Sequence, residues 1–176
     1  MKKLILSLAV FAITALPASA QKSKSNEATG SKVRFSIGGN AGIPVGLFST
    51  IFSFAYGGDL QIDYATSSTF ALNFSAGYVS YSVKSSLGGG GIGGGWIPVL
   101  AGGRYFFSPK VYGSAQLGVA IATGSGGGTN FTFAPGIGVK ISDNFDILGK
   151  FNSITFNGGA LSYAGIRLAY TFGPSK

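Results

Sequence analysis

The chain contains no cysteine and no histidine. Disulfides, thiolate metal sites and an acyl anchor on a lipoprotein cysteine are thereby excluded, and with them imidazole chemistry: a Ser-His-acid triad cannot be assembled and the commonest general base is missing. Charge is scarce as well, at 10 % of residues, with only five acids: Glu27, Asp59, Asp63, Asp143 and Asp146. Beyond the first 16 residues no apolar run approaches the roughly 20 residues that a membrane-spanning helix needs. Yet 45 % of the chain is hydrophobic. A chain so poor in charge must hide its apolar surface by some device other than a spanning helix.

The N-terminal stretch "MKKLILSLAVFAITALPASA" has two lysines, an apolar core from Leu4 to Leu16, and small residues at Ala18 and Ala20. This is the pattern of a secretory signal peptide, residues 1–20, cleaved before Gln21. "QKSKSNEATGSK", residues 21–32, is polar and Ser-rich and reads as a solvated leader on the periplasmic side. Formal net charge is +8. The basic residues are scattered singly rather than clustered on one face, which argues against a nucleic-acid partner.

The hiding device is alternation. In "TFALNFSAGYVSY" one parity carries Phe70, Leu72, Phe74, Ala76 and Tyr78, the other Ala71, Asn73, Ser75 and Gly77. "KVYGSAQLGVAIAT" sets Val111, Ala115, Leu117, Val119 and Ile121 against Tyr112, Ser114, Gln116 and Gly118. Period two marks a strand, because successive side chains leave opposite faces. The pattern recurs from Val33, Tyr56, Trp96, Phe131, Phe145 and Leu161 onward, broken at Trp96, Leu100, Phe106 and Leu148. Eight strands result, each long enough to cross a bilayer obliquely. The predicted fold is all-β, an eight-stranded antiparallel up-and-down transmembrane β-barrel over residues 33–173, followed by a tail at 174–176. Connections are expected at 44–55, 66–68, 82–95, 108–109, 124–128, 142–144 and 157–160. Tight polar turns then alternate with longer glycine-rich loops, the two-rim asymmetry of outer-membrane barrels.

The stretches "GGNAGIPVG", "GGDLQIDYA", "ALNFSAGYV", "WIPVLAGGRYFF", "VYGSAQLGVA" and "FAPGIGVKIS" resemble the small eight-stranded outer membrane β-barrel proteins of OmpA and OmpX type. The resemblance implies residence in the bacterial outer membrane with both termini periplasmic, and outer-membrane lipids and the barrel assembly machinery as partners. The last strand, "IRLAYTF", is similar to the aromatic-ended assembly signal of such barrels, carried here by Tyr170 and Phe172, with "GPSK" following.

The run "SSLGGGGIGGGW" holds glycines at dinucleotide-fingerprint spacing, Gly88, Gly90 and Gly93. A phosphate cradle of that kind requires a helix to follow, and "WIPVL" has no helical period. The expectation is an outward loop. Asp59 and Asp63, four residues apart on a strand, stand roughly 13 Å apart, too far to cooperate as a glycosidase pair. The chain is therefore expected to be no enzyme and to hold no metal or cofactor.

The parity opposite the apolar one collects a polar set: Arg34, Arg104, Lys140, Lys150 and Arg167 against Asp59, Asp63 and Asp146, with Gln61, Asn73, Gln116 and Asn152 between them. Eight strands leave an interior just wide enough for side chains. The set is expected to fill the lumen as an ion-pair and hydrogen-bond network, and the role to be structural or interaction-based within the membrane. A narrow, weakly anion-selective passive channel is the alternative, given the excess of two positive charges; adhesion is a third reading, disfavoured by glycine-rich loops with few anchor residues. In "GLFSTIFSFAY", Leu47, Phe48, Ile51 and Phe52 share one helical face. An aromatic girdle, a lid over the barrel mouth and a partner surface are the readings open for it.

Overall fold

The computed structural model describes residues 33–87, 92–124 and 127–172; the signal peptide, the leader, Gly88, Gly90 and the tail lie outside the described residues. Eight strands run β1 (Val33–Val45), β2 (Phe52–Ala65), β3 (Phe70–Val83), β4 (Ile92–Phe106), β5 (Val111–Ala122), β6 (Thr129–Lys140), β7 (Phe145–Phe156) and β8 (Gly159–Phe172). Each pairs antiparallel with its chain neighbour, and β1 closes on β8, so that the sheet is a barrel without an edge. Strand β6 meets β7 with a gap in the ladder at Ala134 and Pro135, where proline has no N–H to give.

The alternation read from the sequence is the alternation of faces. Phe35, Ile37, Ile43, Leu60, Phe74, Leu117, Ile137 and Leu168 stand exposed on the outside, where a bilayer rather than water would meet them. The four residues that break the pattern point inward instead. Leu100 and Leu148 are buried, Trp96 packs on the core, and the Phe106 ring lies 5.5 Å from that of Tyr112. They belong to the filling of the lumen.

Strand ends differ from the expectation at one rim. The connection expected over 44–55 shrinks to 46–51, and the one over 82–95 to 84–91, because β2 starts at Phe52 and β4 at Ile92. Register shifts between Phe52 and Phe54, and between Ser80 and Ser82, explain the difference. A bulge puts two residues opposite one, which erases period two where pairing still continues. Gly93, expected in the loop, lies within β4. The connection from β7 to β8 is only Asn157 and Gly158, with Gly158 at φ 94°, a left-handed conformation that an Asn-Gly hairpin turn supplies at little cost.

The other rim, where β1 begins and β8 ends, is built from one turn used three times. Ser67, Ser108 and Ser142 each take the first position, and each Oγ accepts from the backbone N–H two and three residues on: Thr69 and Phe70, Lys110 and Val111, Asn144 and Phe145. Each serine's own N–H returns to the carbonyl of Phe70, Val111 or Phe145. A short hydroxyl side chain thus satisfies donors that the reversing backbone leaves open. Replacing all three serines by alanine is expected to lower stability by about 0.5–1.5 kcal/mol per turn, read as a lower urea midpoint for refolding into micelles, with the barrel still closing.

Candidate functional site in the barrel lumen

The inward face is stacked in layers from the terminal rim upward. At the rim, Arg34 donates to the backbone carbonyl of Asp143, and the Lys140 ammonium sits 4.5 Å from the centre of the Phe106 ring, close enough for a cation–π contact.

Above them Arg104, buried, reaches Asp63 at 3.4 Å and Asp146 at 3.7 Å. Its guanidinium carbon lies 4.8 Å over the Tyr112 ring. Tyr112 donates to Asp146 at 2.6 Å, and Gln61 donates to Asp63 at 2.8 Å. Tyr112 stands on β5 and Asp146 on β7, with β6 between. The phenol can cross because the residue opposite Tyr112 on β6 is Gly138; a Cβ there would stand 2.2 Å from Tyr112 Cζ.

The middle layer repeats that construction. Arg167 on β8 reaches Asp59 on β2 across β1, passing over Gly38, where a Cβ would stand 2.6 Å from Nε. Nε donates to both Asp59 oxygens at 2.8 and 3.0 Å, and Nη2 donates to Oδ1 at 2.6 Å and to Ser36 Oγ at 3.3 Å. Asn40 completes the shell, donating to Asp59 Oδ2 at 2.6 Å. Charge-assisted bonds of this kind are the strong ones. Beside them Gln116 donates to Asn73 at 3.2 Å and to Ser75 at 3.0 Å. Lys150 and Asn152 face a cavity of about 20 Å³ in this layer.

The top of the lumen is apolar. Ala55, Val79, Tyr81, Leu161 and Tyr163 form a buried cluster, closed from above by Phe48, Phe52, Trp96 and Phe156. Phe48 meets Phe156 edge-on at 5.5 Å, and Phe52 lies 5.5 Å from Tyr81. The segment 46–56 is therefore divided. Phe48, on a single turn of 3₁₀ helix at Leu47–Thr50, and Phe52 cap the lumen, while Leu47, Ile51, Phe54 and Tyr56 face outward as girdle. The shared helical face expected for Leu47, Phe48, Ile51 and Phe52 does not form: the 3₁₀ turn ends at Thr50, and Phe52 already belongs to β2.

Of the residues singled out in the sequence, Asp59 with Arg167, Asp63 with Arg104 and Asp146, Gln61, Asn73 and Gln116 are brought into direct contact. Arg34 and Lys140 belong to the rim, and Lys150 and Asn152 to the cavity. Tyr170 and Phe172 lie outside, with ring centres 5.1 Å apart, and Tyr170 lies 5.0 Å from Phe145 across the β7–β8 ladder. Ser36, Asn40, Ser75 and Tyr112 join the network beyond the polar set read from the sequence. All four stand on the inward parity, the one signal in the sequence that marks them.

Removing the Asp59 charge strands a buried guanidinium, which costs about 3–5 kcal/mol. Asp59→Asn and Gly38→Val, the latter by pushing Arg167 aside, are each expected to lower the urea midpoint strongly. Because both act on one guanidinium, the double variant should lose clearly less than the two single losses combined, measured by the gel shift of folded against unfolded protein.

No family model and no curated protein matches this chain. Solved structures do. The outer membrane protein Ail of Yersinia pestis, in a phospholipid bilayer nanodisc, aligns with TM-score 0.58 at 17 % identity over 82 % of this chain and 100 % of that one. The N-terminal β-barrel domain of Pseudomonas aeruginosa OprF aligns with TM-score 0.53 at 15 % identity, again over 82 % and 100 %. A de novo designed transmembrane β-barrel aligns with TM-score 0.52 at 16 % identity, over 84 % and 100 %. The fold of this chain is that of the small eight-stranded outer-membrane barrels.

Proposed function

We propose that this chain is exported by its N-terminal signal and resides in the bacterial outer membrane as a non-conducting structural barrel, with both termini in the periplasm. The observation that carries the reading is the filled lumen. A path along the axis meets the Arg104 layer, then the Arg167 layer, then the aromatic cap, and the cavity in the Arg167 layer measures about 20 Å³. Such a volume holds about one water molecule, and a conducting file would need many. The outside supports membrane residence: an apolar band bounded by aromatic residues at both rims, Tyr64, Tyr105, Phe107, Phe145 and Phe172 at one, Phe54, Tyr56, Tyr78 and Phe131 at the other. Strand β1 begins and β8 ends at the same rim, the one with short turns, which in outer-membrane barrels is periplasmic.

An adhesive role finds little support in the distal loops. Ail has also been solved with the heparin analogue sucrose octasulfate, an anion of dense charge, whereas Lys84 is the one charged residue in this chain's four distal connections, 46–51, 84–91, 123–128 and 157–158. Contact with other proteins is left to the barrel's outer wall and its terminal rim.

Two measurements test the proposal. The protein is expected in the outer-membrane fraction with a band that shifts on boiling, and the purified protein in planar bilayers is expected to give no current steps at any voltage. Reproducible anion-selective steps would replace the structural reading with the channel; a soluble periplasmic protein without a gel shift would end both.

A further inference from the structure

The charges of the lumen do not balance layer by layer. In the lower layer Arg104 faces Asp63 and Asp146, one against two. In the middle layer Arg167 and Lys150 face Asp59 alone. That carboxylate is already saturated: Oδ1 accepts from Arg167 Nε and Nη2, and Oδ2 from Arg167 Nε and Asn40. Lys150, half-buried, meets Asp59 only through space and forms no ion pair with it at contact distance, and Nη1 of Arg167, a residue 1 % exposed, has no acceptor. Both side chains line the same cavity of about 20 Å³. The register brings them there. Lys150 pairs with Gly165, two residues before Arg167 on the same face of β8. An uncompensated charge in so enclosed a place is costly, and a fold that retains two adjacent cations here needs a counter-charge or must give up the ammonium proton.

We propose that this cavity binds one small inorganic anion of halide size, held between Lys150 Nζ and Arg167 Nη1, which closes the charge of the middle layer. The volume is that of about one water-sized body, which suits a single monatomic anion better than phosphate, sulfate or a carboxylate-bearing solute. The aromatic cap above and the Arg104 layer below make the anion a trapped component of the folded barrel, taken up as the barrel closes, and not an ion in transit. The site goes beyond the structural reading, since it can be present or absent in a barrel that does not conduct.

The experiment refolds the full chain from urea into micelles in sodium bromide, sodium chloride or sodium gluconate at equal ionic strength. The temperature at which the folded gel band is lost should be higher in either halide than in gluconate, whose anion is too large for the cavity. Lys150→Met should erase that difference, and crystals grown in bromide should show an anomalous peak between Lys150 and Arg167. Indifference to the anion together with a cavity peak absent from bromide crystals would overturn the proposal in favour of a neutral Lys150 and water. Bromide found only beside Lys84, Lys110 or Lys140 would be an adventitious ion only and would overturn it equally. Should Lys150→Met not fold, the bromide crystals of the unaltered chain decide by themselves.

Discussion

Closure of β1 on β8 is the constraint from which the remaining features follow. In hydrocarbon an unpaired backbone N–H or C=O costs several kcal/mol, so a spanning sheet cannot keep an edge. Once closed, the sheet has an outside and an inside with opposite requirements, and period two along each strand serves both at once. The outside is solved with phenylalanine, isoleucine and leucine. The inside of an eight-stranded barrel is just wide enough for side chains to fill it, and here that filling is largely polar.

The lumen answers that constraint with a construction of its own. Two long side chains cross the bore to an acid two strands away over a glycine on the strand in between. Arg167 passes over Gly38 to Asp59, and Tyr112 passes over Gly138 to Asp146. A Cβ in either position would occupy the place of the crossing group. These glycines are sites of close approach, and their φ values lie outside the left-handed range; their use is spatial. The effect is that charge pairs link non-adjacent strands, adding tertiary cross-bracing to a ladder that binds only neighbours.

Along the axis the chemistry changes from ionic to aromatic. The rim that carries the start of β1 and the end of β8 has the repeated serine turns and the cations Arg34, Lys110 and Lys140. The distal rim has bulges in the β2–β3 and β3–β4 ladders and the cap made by Phe48, Phe52, Trp96 and Phe156. The bulges and the cap belong together: extra residues in the strand bend and twist it, and it is at Phe52, beside such a bulge, that the chain turns its aromatic residues over the bore.

The amino-acid sequence by itself determined the number of strands and, away from the bulges, the face each side chain takes, because period two is a local property of the chain and survives without knowledge of partners. It also carried the terminal-rim turns, whose serines act within three residues of themselves. Only the tertiary structure decided which cation meets which acid, since Arg167 and Asp59 are 108 residues apart and their meeting depends on barrel closure and on Gly38. The same holds for the distal strand ends, where bulges erased the period, and for the division of segment 46–56 into cap and girdle. Lys150 looked like the other lumen cations in sequence; its isolation beside a cavity arises because Asp59 is within reach of Arg167 first.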